Sequence, residues 1–235
     1  MSHGQFPPVP AAEIIIGSPK EALTASLVRN SRAALGFRAH SGWAVLVAIA
    51  GQLKAPEVLA RRRVEMADLD DPDSKQPYHA AERLQFSEAE KLVTESKASA
   101  GRMALKGVES AIRDVESSKY AVVTSAILTA GGRALPELKA VLASHALIHA
   151  AEGELFREAL IRACEHCNLP VRKFREHELF HDAVSSLGIS EPDLKRHLEL
   201  LGKKLGPPWR QDEKYAVLAA WAALGSSSIG RQASG

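Results

Sequence analysis

The chain has 235 residues, of which 46% are hydrophobic and 25% are charged, a balance typical of one globular domain with a substantial core. Its formal net charge of +2 predicts no strong attraction to nucleic acid or membranes by charge alone, so a basic surface must be local. Two cysteines are too few for a disulfide framework, no secretory signal is visible, and the apolar run Trp43–Ala50 is too short to span a bilayer. These features predict a cytoplasmic protein with no membrane segment.

The first predicted element is a short helix that begins near Ser18. Ser18 at the N-cap, Pro19 at the first helical position and Glu21 at the third form a helix-start signal. We assign residues 1–34 to an N-terminal tail followed by this helix, and residues 35–225 to the main domain. The stretch 37–50 is predicted to be β-structure, with 58–66 as its antiparallel partner across the turn at 52–57.

Helices and strands alternate over the rest of the chain. The predicted elements are a helix over 87–117 (one helix, or two joined near Gly107), a strand over 120–128, a helix over 135–167, a strand over 171–174, and helices over 176–187, 191–201 and 212–224. Residues 226–235 are predicted to be a flexible tail. Paired strands followed by strand–helix alternation predict the α/β class, with a mixed sheet flanked by helices.

The predicted helix over 135–167 carries polar residues among its apolar positions. His145, His149 and Glu152 lie at i, i+4 and i+7, in register with Ile148 and Leu155. Burying them costs free energy unless each finds a partner. Such a row can ligate a metal, hold a phosphate or supply a general base, and it can equally be a structural network paired with itself and the backbone. In the same helix, Gly153 costs about 1 kcal/mol relative to alanine, which predicts a close approach by another backbone.

Two further groups contain possible metal ligands or bases. Cys164, Cys167, His177 and His181 have ligand types that suit zinc, although their spacing lacks a metal knuckle and buried thiols with surface histidines explain them as well. The segment Tyr78–Glu82 contains another His/Glu pair, which is either near a site or part of a surface helix start.

Basic residues concentrate in two places. Arg61, Arg62 and Arg63 should alternate faces if they lie on a strand, so one points opposite to the other two. The segment 207–214 places an aromatic loop before a helix start. There Asp212 can cap the helix, or the helix start can bind an anion with help from Arg210 and Lys214.

Three stretches give the sequence a resemblance to the ribonuclease H-like superfamily, in its Holliday-junction resolvase (RuvC-like) branch. LGFRAHSGWAVL (35–46) resembles the family's opening strand and turn, whose pattern runs LGIDPG…TGWAVL. SHALIHAAEGELFREAL (144–160) with NLPVRKF (168–174) is similar to its central helix and next strand, and QDEKYAVLAAWAAL (211–224) to its closing helix. The resemblance covers residues 35–225 and implies a ribonuclease H-like mixed sheet flanked by helices.

The family's chemistry needs clustered carboxylates that hold two divalent metals, and here the sequence departs from the pattern. Arg38 stands at the first-strand aspartate position, and the strand over 122–128 contains no glutamate. Only Asp212 and Glu213 remain where the closing helix should supply acid. Because an arginine repels a metal ion, the resemblance implies the fold more securely than the mechanism.

Two hypotheses follow. In the first, the protein binds nucleic acid or another phosphate-bearing ligand, with His145, His149, Glu152 and Asp212 as a catalytic cluster. Hydrolysis would use one divalent ion (Mg²⁺ or Mn²⁺) held by Glu152 and Asp212, with a histidine as base. The phosphate-binding residues of this hypothesis are Arg38, His40, Arg62, Arg210 and Lys214. In the second, the protein is a non-catalytic interaction or structural protein whose His/Glu row is a buried network. Both hypotheses are compatible with a homo-oligomer.

Overall fold

The structure, a computed structural model, describes residues 32–131 and 134–229, without the side chains of 228 and 229. Most of the helix predicted from Ser18 lies outside the described residues. Residues 32–34, assigned to its end, belong instead to the first strand. No helix in the described ranges is long and apolar enough to cross a membrane.

The described chain contains one five-stranded mixed sheet with the order β3-β2-β1-β4-β5. Its strands are β1 (Arg32–His40), β2 (Trp43–Gln52), β3 (Ala55–Glu65), β4 (Ala121–Thr129) and β5 (Val171–Arg175). β1, β2 and β3 pair antiparallel in sequence, while β4 is parallel to β1 and β5 is parallel to β4. The β-rich stretch 37–50 therefore contains two strands, because the Ser41–Gly42 turn reverses the chain with Gly42 at φ +83°. The antiparallel pairing with 58–66 is confirmed.

The described ranges also contain a short 3-10 turn at Pro72–Lys75 and, after it in the chain, seven α-helices, with β4 and β5 between some of them. They are α1 (Pro77–Ala81), α2 (Phe86–Ser117), α3 (Leu138–Leu142), α4 (His145–His166), α5 (Leu179–Leu187), α6 (Glu191–Leu205) and α7 (Gln211–Ile229).

Several helix boundaries differ from the sequence predictions. α2 is one helix through Gly107. The helix predicted over 135–167 is two, because the extended backbone of Ser144 (φ −140°, ψ 113°) interrupts it before α4 begins. α5 starts at Leu179 rather than 176, and α6 continues to Leu205. α7 continues to Ile229, so the predicted flexible tail is helical over its first four residues.

The helices cover the sheet as two layers, one on each face. Successive side chains of a strand point to opposite faces, so Leu35 and Phe37 of β1 pack with α2 and α4, whereas Ala34 packs with α5, α6 and α7. β2 is buried on both faces, which explains its continuous apolar sequence.

α7 lies directly on the sheet and is buried from Ala216 to Leu224. A helix that is apolar all round must be enclosed, and its alanines let it approach β1 closely. A Cβ at Gly36 would lie 2.0 Å from the carbonyl oxygen of Ala216, so this contact requires glycine.

The topology brings the carboxyl ends of four strands to one edge of the sheet. Since β1, β3, β4 and β5 run in the same direction, their carboxyl ends share an edge. α7 begins beside the carboxyl end of β1, where Asp212 contacts Arg38. The first turns of α4 lie beside the end of β4, since Ala150 and Thr129 line one cleft. We call this the carboxyl edge. It is where ligands bind in open α/β sheets.

Candidate functional site

The first cluster at the carboxyl edge, which we call the arginine centre, consists of Arg38, His40, Glu176 and Asp212. Arg38 donates from Nη1 to Asp212 and from Nη2 to Oε1 of Glu176, at 2.6 Å for the second bond. His40 Nε2 lies 3.2 Å from Oδ1 of Asp212, and the His40 ring stacks on Trp43. The guanidinium therefore holds both carboxylates at the point where the family resemblance places a metal-binding aspartate.

Glu176 is a residue of this centre that the sequence analysis did not single out. It follows β5 directly, so it stands at the carboxyl end of a parallel strand beside β4. That position is a usable signal, because carboxyl ends of parallel strands converge on one edge.

The second cluster, which we call the histidine cluster, consists of His79 from α1 with His145 and His149 from α4. One ring nitrogen of each lies within 4.8 Å of the others. Nε2 of His145 and Nε2 of His149 are 3.0 Å apart. The ring centroid of His79 lies 5.4 Å from that of His145 and 4.7 Å from that of His149. The i, i+4 pair on one helix therefore gains a third imidazole from a segment that is distant in the chain.

Glu152 anchors His79 to this cluster. Its Oε1 accepts the backbone N–H groups of Tyr78 and His79, at 2.8 and 3.1 Å, and lies 3.2 Å from Nδ1 of His79. These are N–H groups in the first turn of α1, which have no partner within the helix. Glu152 thus caps α1 from a distance and orients the His79 ring.

Glu152 is itself 2% exposed, and its Oε2 accepts no hydrogen bond from any described residue. Burial raises the pKa of its carboxyl group above the ordinary value, against the opposing effect of its hydrogen bonds with His79 and Tyr78. Burial also raises the pKa of the Tyr78 hydroxyl, and the nearby Glu152 charge adds to that shift. A buried carboxyl group beside an imidazole, with one oxygen that no described residue bonds, is more common at functional sites than elsewhere.

The structure changes two expectations about α4. Glu152 is buried, but His145 and His149 are exposed, because they line the rim between α1 and α4 rather than the apolar face. The atoms nearest to a Cβ placed at Gly153 are those of the Arg157 guanidinium, the first at 2.9 Å, rather than those of another backbone.

The proposed catalytic set of His145, His149, Glu152 and Asp212 is not brought together as one cluster. α4 packs on one face of the sheet and α7 on the other. Oδ1 of Asp212 accepts from Arg38 and lies 3.2 Å from Nε2 of His40, which hydrogen-bonds to no described residue, and Oε1 of Glu152 accepts from the first turn of α1. A single divalent ion held by Glu152 and Asp212 is therefore not the arrangement that the structure forms.

The predicted phosphate-binding residues also separate. Arg62 points to α2, where it bonds to Asp114 at 2.5 Å. Arg61 and Arg63 point to the other face, towards the carbonyls before α7 and over the Trp43 ring, so the predicted alternation is confirmed.

At the start of α7, Arg210 is exposed and Lys214 is half-buried. The side chain of Glu213 accepts the backbone N–H of Arg210 at 2.7 Å, as in a capping box. The backbone N–H just before the helix is thus bound by Glu213, and Asp212 instead pairs with Arg38.

A cleft of about 510 Å³ opens at the carboxyl ends of β4 and β5. Its basic lining residues are Arg157, Lys173 and Arg175. Arg157 and Arg175 each have a carboxylate neighbour, Glu154 at 2.9 Å and Glu178 at 3.2 Å. Lys173, like Arg172 before it, is exposed on the edge strand β5. Cations therefore follow the cleft and the adjoining strand.

The possible zinc set of Cys164, Cys167, His177 and His181 does not form. Cys164 is buried in the core between α4 and the sheet, whereas α5, which carries His181, packs on the opposite face. Among the described residues, the histidine cluster is the group whose donor atoms lie close enough to share an ion.

The same burial predicts unequal cysteine reactivity. Burial raises the pKa of the Cys164 thiol to about 12. Burial also raises the pKa of the Cys167 thiol, which is less deeply buried. Since only the thiolate reacts, we expect iodoacetamide at pH 8 to modify Cys167 alone in the native protein. Mass spectrometry should find one adduct before unfolding and two adducts after it. Two rapid adducts in the native state would contradict the buried position of Cys164.

The divalent metals that the family resemblance implies do not fit either cluster. Mg²⁺ and Mn²⁺ prefer carboxylate and carbonyl oxygens, but the carboxylates of the arginine centre are held by a permanent cation. The histidine cluster presents nitrogen donors, which suit later transition metals.

No protein-family model matches the sequence, and no curated protein matches it. Two solved structures of RuvC from Thermus thermophilus are similar to this chain. The structure in complex with a Holliday junction substrate has 10% sequence identity and a TM-score of 0.50, over 85% of this chain and 96% of that chain. The other has 13% identity and a TM-score of 0.49, over 84% and 96%. The mixed sheet and the first of these likenesses together show that the chain has the ribonuclease H-like fold of RuvC-like proteins, as its sequence predicted.

Proposed function

We propose that this protein binds the phosphate groups of nucleic acid along its carboxyl edge and does not cut them by the carboxylate–metal mechanism. The observation that carries the proposal is the position of Arg38, whose guanidinium bonds to both Asp212 and Glu176. Arginine stays protonated at every physiological pH, so a fixed cation is already bound between these two carboxylates without a metal ion. The edge keeps a cationic group where a nuclease of this fold needs an anionic one.

The phosphate-binding surface of this proposal is the cleft with its edge strand. Arg157, Lys173 and Arg175 line the cleft, and exposed Arg172 lies beside them on the opposite face of the edge strand β5. A row of cations suits a polymer with regularly spaced charges better than a single small anion. Phosphate would compete with Glu154 and Glu178 for the two paired arginines, since bidentate arginine–phosphate contacts are strong.

The fold gives further support. The similar structure from Thermus thermophilus is described with a Holliday junction substrate, so four-way junction DNA is the first probe to use. The identity of 10% is too low to carry an activity, and the choice of nucleic acid rests on the charges described above.

The experiment is a fluorescence anisotropy titration with labelled four-way junction, duplex and single-stranded DNA at several salt concentrations. The test variant is Lys173→Ala/Arg175→Ala. We expect it to bind about tenfold more weakly than the wild type and to lower the salt slope by about two. The matched control is Lys106→Ala/Arg113→Ala, two exposed cations on α2, and it should bind like the wild type.

Two outcomes would overturn the proposal. The first is wild-type protein that binds none of these DNAs at low salt, or a test variant that binds as well as the control. The second concerns cleavage: a junction cut in Mg²⁺ or Mn²⁺ by the wild type, and not by Asp212→Asn, would show that the carboxylate–metal mechanism operates.

A further inference from the structure

We propose that His79, His145 and His149 form a binding site for one transition-metal ion of the zinc class. This inference does not depend on nucleic-acid binding, because none of its three histidines lines the cleft. Imidazole nitrogen is a favoured ligand of Zn²⁺, and three histidines with one open position are a known arrangement for a bound zinc ion.

The spacing of the nitrogens carries the first step of the argument. Two ligands of a tetrahedral zinc ion, at 2.0–2.1 Å from the metal, lie about 3.3 Å from each other. Nε2 of His145 and Nε2 of His149 are 3.0 Å apart, and one ring nitrogen of each of the three histidines lies within 4.8 Å of the others. Small rotations of exposed side chains would complete the site.

Glu152 carries the second step. Metal-ligating histidines almost always donate their other ring N–H to a carboxylate or carbonyl, which fixes the tautomer and the ring orientation. Oε1 of Glu152 lies 3.2 Å from Nδ1 of His79, so the Nδ1–H of His79 donates to it and Nε2 is left as the metal ligand. The carboxylate is 2% exposed and has a second oxygen that no described residue bonds. A buried anion of this kind is stabilised by a cation held nearby.

Access carries the third step. His145 and His149 are exposed and the His79 side chain is 22% exposed, so an ion can enter from solvent without opening the core. The cluster is also hard to explain as an apolar core feature, since two of its rings lie outside the core.

The experiment measures binding of Zn²⁺ alone by titration calorimetry and of Co²⁺ alone by visible absorption, on metal-stripped full-length protein. We expect one ion per chain, with the ligand-field bands of four- or five-coordinate Co²⁺. His145→Ala and His149→Ala should each weaken binding about 100-fold or more, and Glu152→Gln about 10- to 100-fold. The matched control is His177→Ala, an exposed histidine after β5, which should bind the ions like the wild type.

Melting curves in EDTA distinguish loss of the metal site from loss of the fold. Because His145 and His149 are exposed, their alanine variants should melt like the wild type in EDTA, so lost binding reports the site. Wild-type protein that binds neither ion, or that gives only the spectrum of six-coordinate Co²⁺, overturns the proposal without any variant. Equal binding by His145→Ala, His149→Ala and the control also overturns it. The Lys173→Ala/Arg175→Ala variant should bind Zn²⁺ normally, which keeps this result distinct from the nucleic-acid test.

Discussion

Gly36→Ala is expected to destabilise the fold by about 3 kcal/mol or more, because overpacking here cannot be relieved by a side chain. The new Cβ would meet the backbone oxygen of Ala216 at 2.0 Å and the Cβ of Ala220 at 2.8 Å. Relief requires α7 to move away from β1, and that movement would loosen the buried face from Ala216 to Leu224. Thermal and urea unfolding followed by circular dichroism measure the effect.

Gly101→Ala is the matched control for this prediction. Gly101 lies in α2, and a Cβ there meets nothing within 4 Å. Alanine is the better helix former, so this variant should be more stable than the wild type by about 0.5–1 kcal/mol. If Gly36→Ala melts within a degree or two of Gly101→Ala, the close approach of α7 to β1 is wrong.

Arg38→Met is expected to cost about 2 kcal/mol at pH 7 and low salt, because it leaves two carboxylates facing each other without their cation. The Arg38 side chain is 17% exposed and that of Asp212 is 23% exposed, so water screens the loss only in part. A double-mutant cycle with Asp212→Asn should give a coupling free energy above about 1 kcal/mol.

Arg62 provides the matched pair on the opposite face. It bonds to Asp114, whose side chain is 58% exposed, and exposed ion pairs contribute about 0.2–1 kcal/mol. Arg62→Met in a cycle with Asp114→Asn should therefore show the smaller coupling. Equal coupling energies in the two cycles would mean that the arginine centre is an ordinary surface ion pair.

Local sequence patterns predicted most of the elements and some of their boundaries. The apolar stretches of β2 and β4 and the alternation along β3 depend on nearest neighbours and on the periods of strands and helices. Boundaries were missed where one residue interrupts a pattern. Gly42 turns the chain between two apolar strands, and Ser144 separates α3 from α4 although the residues around it favour a helix.

The candidate site residues also divide into those that local spacing predicts and those that only tertiary packing brings together. His145, His149 and Glu152 were found because an i, i+4, i+7 spacing puts them on one side of a helix. His79 belongs to a separate His/Glu pair in the sequence, and nothing in the spacing between 79 and 145 predicts that the two segments meet. They meet because Glu152 caps α1, a contact that depends on how α1 packs against α4.

Local sequence was enough for the α/β class, the ribonuclease H-like resemblance, the arginine at a position where that family needs an acid, and the histidine pair on one helix. Which of these residues are neighbours depends on the packing of distant segments. That packing joined Arg38 to Asp212 and to Glu176, it joined His79 to His145 and His149, and it kept Glu152 apart from Asp212. The physical reason is that local periodicity sets which face of an element a side chain occupies. The packing of α4 and α7 on opposite faces of the sheet sets which faces meet.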